Sequence, residues 1–304
     1  MPAIVNHRPA WEESMHTLVR RFGFGLLVTS SLALLWGCST ARQATAIPGP
    51  ASHFLFQSQS QYRSGNLDGA VAMASRAIAA SPAEAAAWNA RGFLRNAQGL
   101  KEEAKKDFLE AIRLDPHQPL YRNNVGVVHL ESGQYPEALA AFNEALRLEP
   151  SSAIALNHRG QVHRRLGLLE EAFRDLNAAA RLNDRDATVF ANRAVVHAHR
   201  HDFAEATRDL DRAAALNQQL PAVYESRGLI AMLTGEFQRA ERDFSRAIAM
   251  GVTDQTVYYN RGAARSMLGD QAGALDDYAR SCRAGYVSAC QFSKILSEIG
   301  KPSL

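Results

Sequence analysis

Residues 85–118, AAAWNARGFLRNAQGLKEEAKKDFLEAIRLDPHQ, decide the fold. Gly99, in the middle of this stretch, belongs to a series repeating every 34 residues: Gly65, Gly99, Gly133, Gly167, Gly235 and Gly269, with His201 in the one slot that lacks glycine. Self-similarity at this period predicts a stack of helix–turn–helix units. A frame starting at Ala51 gives seven units with no insertion: 51–84, 85–118, 119–152, 153–186, 187–220, 221–254 and 255–288.

Counting positions within each unit shows what the stack needs. Position 8 is small throughout (Ser58, Gly92, Gly126, Gly160, Ala194, Gly228, Gly262), and position 20 is always alanine, from Ala70 to Ala274. Position 24 is mostly large and apolar, as at Phe108, Phe142, Leu176 and Tyr278, and position 27 is small again, from Ala77 to Ser281. Small residues let two helix backbones approach, and the large one fills the space between them. With Trp88, Gly92, Gly99, Ala104, Phe108, Ala111, Leu114 and Pro116, the second unit resembles the tetratricopeptide repeat family most fully. The resemblance covers residues 51–288 and implies an all-α superhelical solenoid of seven repeats. The residues that follow, 289–304, are expected to form a capping helix and tail, with Phe292, Ile295 and Leu296 turned inward. Closing prolines occur only in the first three units (Pro82, Pro116, Pro150), so the later turns are expected to differ.

Arginine at position 7 and aspartate at position 23 occur together in five units: Arg91/Asp107, Arg159/Asp175, Arg193/Asp209, Arg227/Asp243 and Arg261/Asp277. The other two units lack both, with Gln57/Met73 and Val125/Ala141. Joint presence and joint absence predict an ion pair between the helices of one unit, where guanidinium and carboxylate fit each other through two parallel bonds.

The first residues read as an export signal. Arg20 and Arg21 precede an apolar run, Phe22 to Trp36, that is short for a membrane span and suited to a signal peptide. The sequence Leu35-Trp36-Gly37-Cys38 resembles a bacterial lipobox. That resemblance implies a lipoprotein signal peptide over 1–37, lipidation of Cys38 and a flexible tether over 38–50. The start is open between Met1 and Met15, the latter giving the more ordinary signal peptide. Ser39 after the cysteine, where no aspartate stands, resembles lipoproteins sorted to the outer membrane, so the chain is expected to be lipid-anchored there and to face the periplasm. Cys282 and Cys290 flank the last turn, and antiparallel helices can bring such a pair to disulfide distance. Their spacing resembles bridged helix pairs of cysteine-rich repeats; two buried thiols are the alternative.

In the family, the first helix of each unit lines a concave groove. The resemblance therefore implies partner-binding residues Asn89, Phe93, Asn123, Asn124, Val127, Asn157, Gln161, Arg164, Arg165, Asn192, Leu229 and Asn260. The amides suit a peptide backbone, which they contact as donors and acceptors, unless they bond to neighbouring units instead. Arg164 and Arg165, with Gln161, form a basic step suited to an acidic group. His129, His163 and His197 share position 11 and lie about 10 Å apart in successive units, too far to share one ion. His197 and His201 could pinch a metal, but packing is the simpler reading, and no metal or cofactor is expected. There is no HExxH, GxSxG or phosphate-cradling glycine loop, so no catalytic residue is expected. With 34 Lys+Arg against 31 Asp+Glu, no field points to nucleic acid.

The expected function is a non-catalytic scaffold that holds extended segments of envelope proteins, with a homodimer left open. A pilotin-like assembly factor for pilus or secretion machinery is the alternative.

Overall fold

A computed structural model describes residues 50–299; the signal peptide, Cys38 and almost all of the tether lie outside the described residues. Among these residues every regular element is an α-helix. They divide into two compact bodies between Asp184 and Arg185. The first body contains four helix pairs: α1 (Pro50–Arg63) with α2 (Leu67–Ala80), α3 (Ala85–Ala97) with α4 (Lys101–Leu114), α5 (Pro119–Glu131) with α6 (Tyr135–Leu148), and α7 (Ala153–Arg165) with α8 (Leu169–Leu182). The second contains α9 (Ala187–His199) with α10 (Phe203–Leu216), α11 (Pro221–Leu233) with α12 (Phe237–Ala249), and α13 (Gln255–Met267) with α14 (Gln271–Arg283), closed by α15 (Val287–Ile299).

The pairing follows from the small residues. Every alanine at position 20 is 0% exposed, and so is every residue at position 27. A methyl group on Gly126 would stand 2.6 Å from the Phe142 ring, so the glycine is what lets α5 lie against α6. In the first unit Ser58 occupies that seat and its hydroxyl donates to the Ala70 carbonyl at 2.7 Å. Each pair turns through a left-handed residue: glycine at φ between 73° and 84° in six units, and His201 at φ 65° in the remaining one. The expectation for the later turns holds only in part: units four and five, which lack the closing proline, end as the first three do, and only units six and seven differ. Helices α2, α4, α6, α8 and α10 run 14 residues, whereas α12 and α14 run 13 and are followed by left-handed Gly251 and Gly285.

All five Arg–Asp pairs form, each with two parallel bonds. Arg193 Nε and Nη2 donate to Asp209 at 2.8 and 2.7 Å, and the other four pairs repeat the geometry within 2.6–2.9 Å. The third nitrogen reaches position 25 of the preceding unit: Arg159 to Asn143, Arg227 to Asp211 and Arg261 to the Ser245 hydroxyl. One guanidinium therefore ties the helices of its own unit and fastens that unit to the one before it.

The last helix is α15. Phe292 stacks on Tyr278 with ring centroids 5.5 Å apart, Leu296 packs beside it, and Ala289 is fully buried. Ile295 corrects the inward assignment, for it is 50% exposed. Residues 289, 292 and 296 make one helical stripe, and 295 falls well outside it. Cys282 and Cys290 are joined by a disulfide between α14 and α15.

Two outcomes are expected of purified protein. Replacing Arg193 or Asp209 alone by alanine should cost about 3 kcal/mol of unfolding free energy, because the partner charge is left half-buried. The double variant should recover part of that, and a double-mutant cycle without coupling would contradict the pair. His201→Gly should stabilise by about 1 kcal/mol by relieving a left-handed side chain, less what is lost with the His201–Phe203 ring contact at 5.8 Å. A melt showing destabilisation would place the ring contact above the backbone cost.

Candidate functional site

The first helices present the residues proposed from sequence, and the amides among them are not open. Asn89, Asn123, Asn124 and Asn157 in the first body are buried, as are Asn192 and Asn260 in the second. Asn124 Nδ2 donates to Asn89 Oδ1 at 2.7 Å, and His158 Nδ1 lies 2.9 Å from Asn123 Oδ1. These contacts join α3 to α5 and α5 to α7 as a polar ladder between successive units. The expected column of accessible amides is corrected accordingly. A buried amide left unpaired costs a few kcal/mol, and Asn89, Asn123 and Asn124 meet that need across the helix interface.

What remains accessible on the first helices of each body is a mixture of half-buried side chains. Phe93 sits edge-on to Tyr62 at 5.5 Å, Val127 packs beside Phe142 and Val162, and Leu229 packs against the core around Tyr224 and Phe244. Each keeps part of its surface in solvent while packing on neighbours. Gln161 and Arg164 are half-buried on α7, and Arg165 at its end is exposed. Burial, with Arg165 alongside, pulls the Arg164 guanidinium down to about 10, so it stays charged at neutral pH. Among the described residues no carboxylate is paired with Arg164. The five position-7 arginines, by contrast, are all engaged by aspartates.

Position 11 holds a feature that sequence reading missed. Arg95 adds a second guanidinium to Asp107 at 2.7 Å, and Arg265 does the same for Asp277 at 2.9 Å. His163 Nδ1 stands 3.0 Å from Asp175, and His197 Nε2 is 3.9 Å from Asp209. In four units position 11 is thus a second seat facing the aspartate, held by Arg95, His163, His197 and Arg265; His129 has the same position in a unit whose position 23 is Ala141. The signal was present in the basic residues that fill position 11 in four of the five units carrying the aspartate. Burial raises the Asp175 carboxyl, but Arg159 and His163 outweigh it and hold the group below the usual carboxylate range. Its contribution to stability is therefore full at neutral pH and is lost only as pH falls below about 4. Among the described residues no three His, Cys, Asp or Glu side chains gather into a metal site.

No curated protein matches the chain in sequence. Residues 57–119 and 126–188 match the tetratricopeptide repeat family. Among solved structures, a tetratricopeptide repeat protein from Parabacteroides merdae superposes with a TM-score of 0.59 at 19% identity, covering 81% of this chain and 98% of that one. A structure from a functional characterization of Pseudomonas aeruginosa pilF gives 0.62 at 20% identity over 69% of this chain and 96% of its own. The hetero-tetramer Cut9–Hcn1 of the APC/C gives 0.72 at 17% identity, over 80% of this chain and 48% of that one. At these identities the likeness is one of fold. The repeat pattern, the helix pairs it builds and the family match agree: residues 57–119 and 126–188 are tetratricopeptide repeats, and the described helix pairs share the fold of that family, whose helix pairs are protein-interaction modules.

Proposed function

We propose that the protein is a non-catalytic scaffold, anchored by lipid on Cys38 to the outer membrane, that holds extended segments of envelope proteins along its first helices. The observation that carries the binding half is Arg164. A half-buried cation with no carboxylate paired to it among the described residues, flanked by Gln161 and Arg165, is poised for an acidic group from outside. Phe93 and Val127 offer partly exposed apolar surface on the same succession of first helices, α3, α5 and α7. This combination suits a peptide bearing an acidic residue next to apolar ones. The anchoring half rests on Arg20-Arg21, the apolar run after them and Leu35-Trp36-Gly37-Cys38. A Cys282–Cys290 cross-link is of the kind that persists in an oxidising compartment.

The purified full chain should capture extended acidic–apolar peptides, with crosslinks mapping to α5 and α7. Arg164→Glu with Arg165→Glu should weaken capture about tenfold, the loss expected for one charge-assisted contact. Undiminished binding by that variant would end the reading of this face. In cells, Cys38→Ser should abolish palmitate labelling and release the protein from outer-membrane fractions; an unchanged distribution would remove the anchor.

A further inference from the structure

Helix α12 departs from the repeat in charge. At position 19 the four preceding second helices carry Glu103, Glu137, Glu171 and Glu205, whereas α12 carries Arg239. The reversal has a local consequence. In α8 and α10 the arginine three residues later is paired with that glutamate, Arg174 with Glu171 and Arg208 with Glu205. In α12 the corresponding arginine is Arg242, and its glutamate is gone. Arg246 follows one turn further along the same face.

These arginines open onto a cleft of about 590 Å³ between α11 and α12, lined by Tyr224, Arg227, Arg239, Arg242, Asp243 and Arg246. Its charges fall into two classes. Arg227 is committed to Asp243 and Asp211, and Arg239 is held by Asp211 at 2.8 Å and by Glu236 at 3.6 Å. These form a fixed frame. Arg242 and Arg246 are exposed, and among the described residues no carboxylate pairs with either. Arg246 lies over the Tyr224 ring at 5.9 Å, and Arg227 is over the same ring at 5.3 Å, so the aromatic ring helps to hold both guanidiniums at the cleft.

We infer that this cleft is a binding site for a phosphate monoester, with Arg242 and Arg246 as its principal ligands and Arg239 behind them. Two like charges one helical turn apart repel each other, and a dianion between them removes the repulsion. A phosphate monoester carries nearly two charges near neutral pH and offers three acceptor oxygens, which matches two planar guanidinium forks. A single carboxylate would leave one of the two uncompensated. An extended acidic peptide is a poorer fit, because apart from Tyr224 the lining offers no apolar wall for its other side chains. The cleft is larger than a phosphate and leaves room for the group that carries it, either a soluble metabolite or a lipid headgroup.

Phenyl phosphate titrated into the full chain at low ionic strength, followed calorimetrically, is expected to bind with a stoichiometry of one. Arg242→Gln and Arg246→Gln should each weaken binding about tenfold. Arg239→Glu, which restores the charge found in the preceding helices, should also weaken it and leave acidic-peptide capture at Arg164 intact. Because Arg242 and Arg246 are exposed, their variants should melt as the parent does. Sedimentation with phosphatidic acid vesicles that phenyl phosphate reverses would assign the lipid source; phenyl phosphate binding without sedimentation would assign the soluble one. Absence of phenyl phosphate binding, equal binding of benzoate, or full affinity in the Arg242→Gln/Arg246→Gln double variant would overturn the site.

Discussion

Two helix backbones touch at an alanine in every unit, and the rest of the structure depends on that contact. Position 20 is alanine in all seven units and is sealed from solvent in each, as is position 27 on the same helix. Interiors pack near crystal density, so a larger side chain at either point would push the helices apart and strand the position-24 ring or leucine in a void. Chain geometry then fixes the rest. Once the two helices are this close, position 7 on the first and position 23 on the second face each other, and an arginine fork can close on a carboxylate with both bonds near 2.8 Å. Without the alanine contact, the same arginine and aspartate would be a surface pair of little worth.

Polar groups inside the stack follow the same logic. An asparagine on a first helix that faces the next unit has little water to bond to, so it needs an amide or imidazole from the neighbour. Asn124 finds Asn89, and Asn123 finds His158, each at a sequence distance of 35 residues. That distance is one period plus one, so the ladder registers neighbouring units as well as filling their hydrogen-bond needs. A slip of one residue would leave several buried amides unpaired, at a cost well above what one apolar contact returns.

The period, the small positions and the Arg–Asp pairs were legible because the chain repeats itself and each unit serves as a control for the others. Gln57/Met73 and Val125/Ala141 were as informative as the five pairs that form. The amide ladder was harder to read. A polar residue at an inward position has the same sequence signature whether it faces a groove or a neighbouring helix, and only the packing distance separates the two. The histidines at position 11 were hidden for a related reason: a ring that packs and a ring that faces an aspartate occupy the same seat, and His163 faces one. Ile295 shows the limit of helical periodicity at a chain end, where α15 buries only one stripe and leaves an apolar residue outside it.

Where this fold can bind an anion is decided by which arginines the fold has already used. A ligand seeking Arg193 or Arg261 would have to displace an aspartate that is itself buried, leaving that carboxylate without a partner in a dry interface. The exchange returns one ion pair and breaks another, and the stranded charge makes it unfavourable. Arg164, Arg242 and Arg246 impose no such exchange, since none of them is paired with a carboxylate among the described residues. Arg164 has been partly stripped of water by the fold, which lowers the further desolvation a ligand must bring about. Arg242 and Arg246 keep more of their water but act together, so charge density in the ligand compensates for exposure. The repeat thus assigns its arginines by context: those opposite position 23 hold the stack together, whereas Arg164, Arg242 and Arg246 carry no carboxylate partner among the described residues.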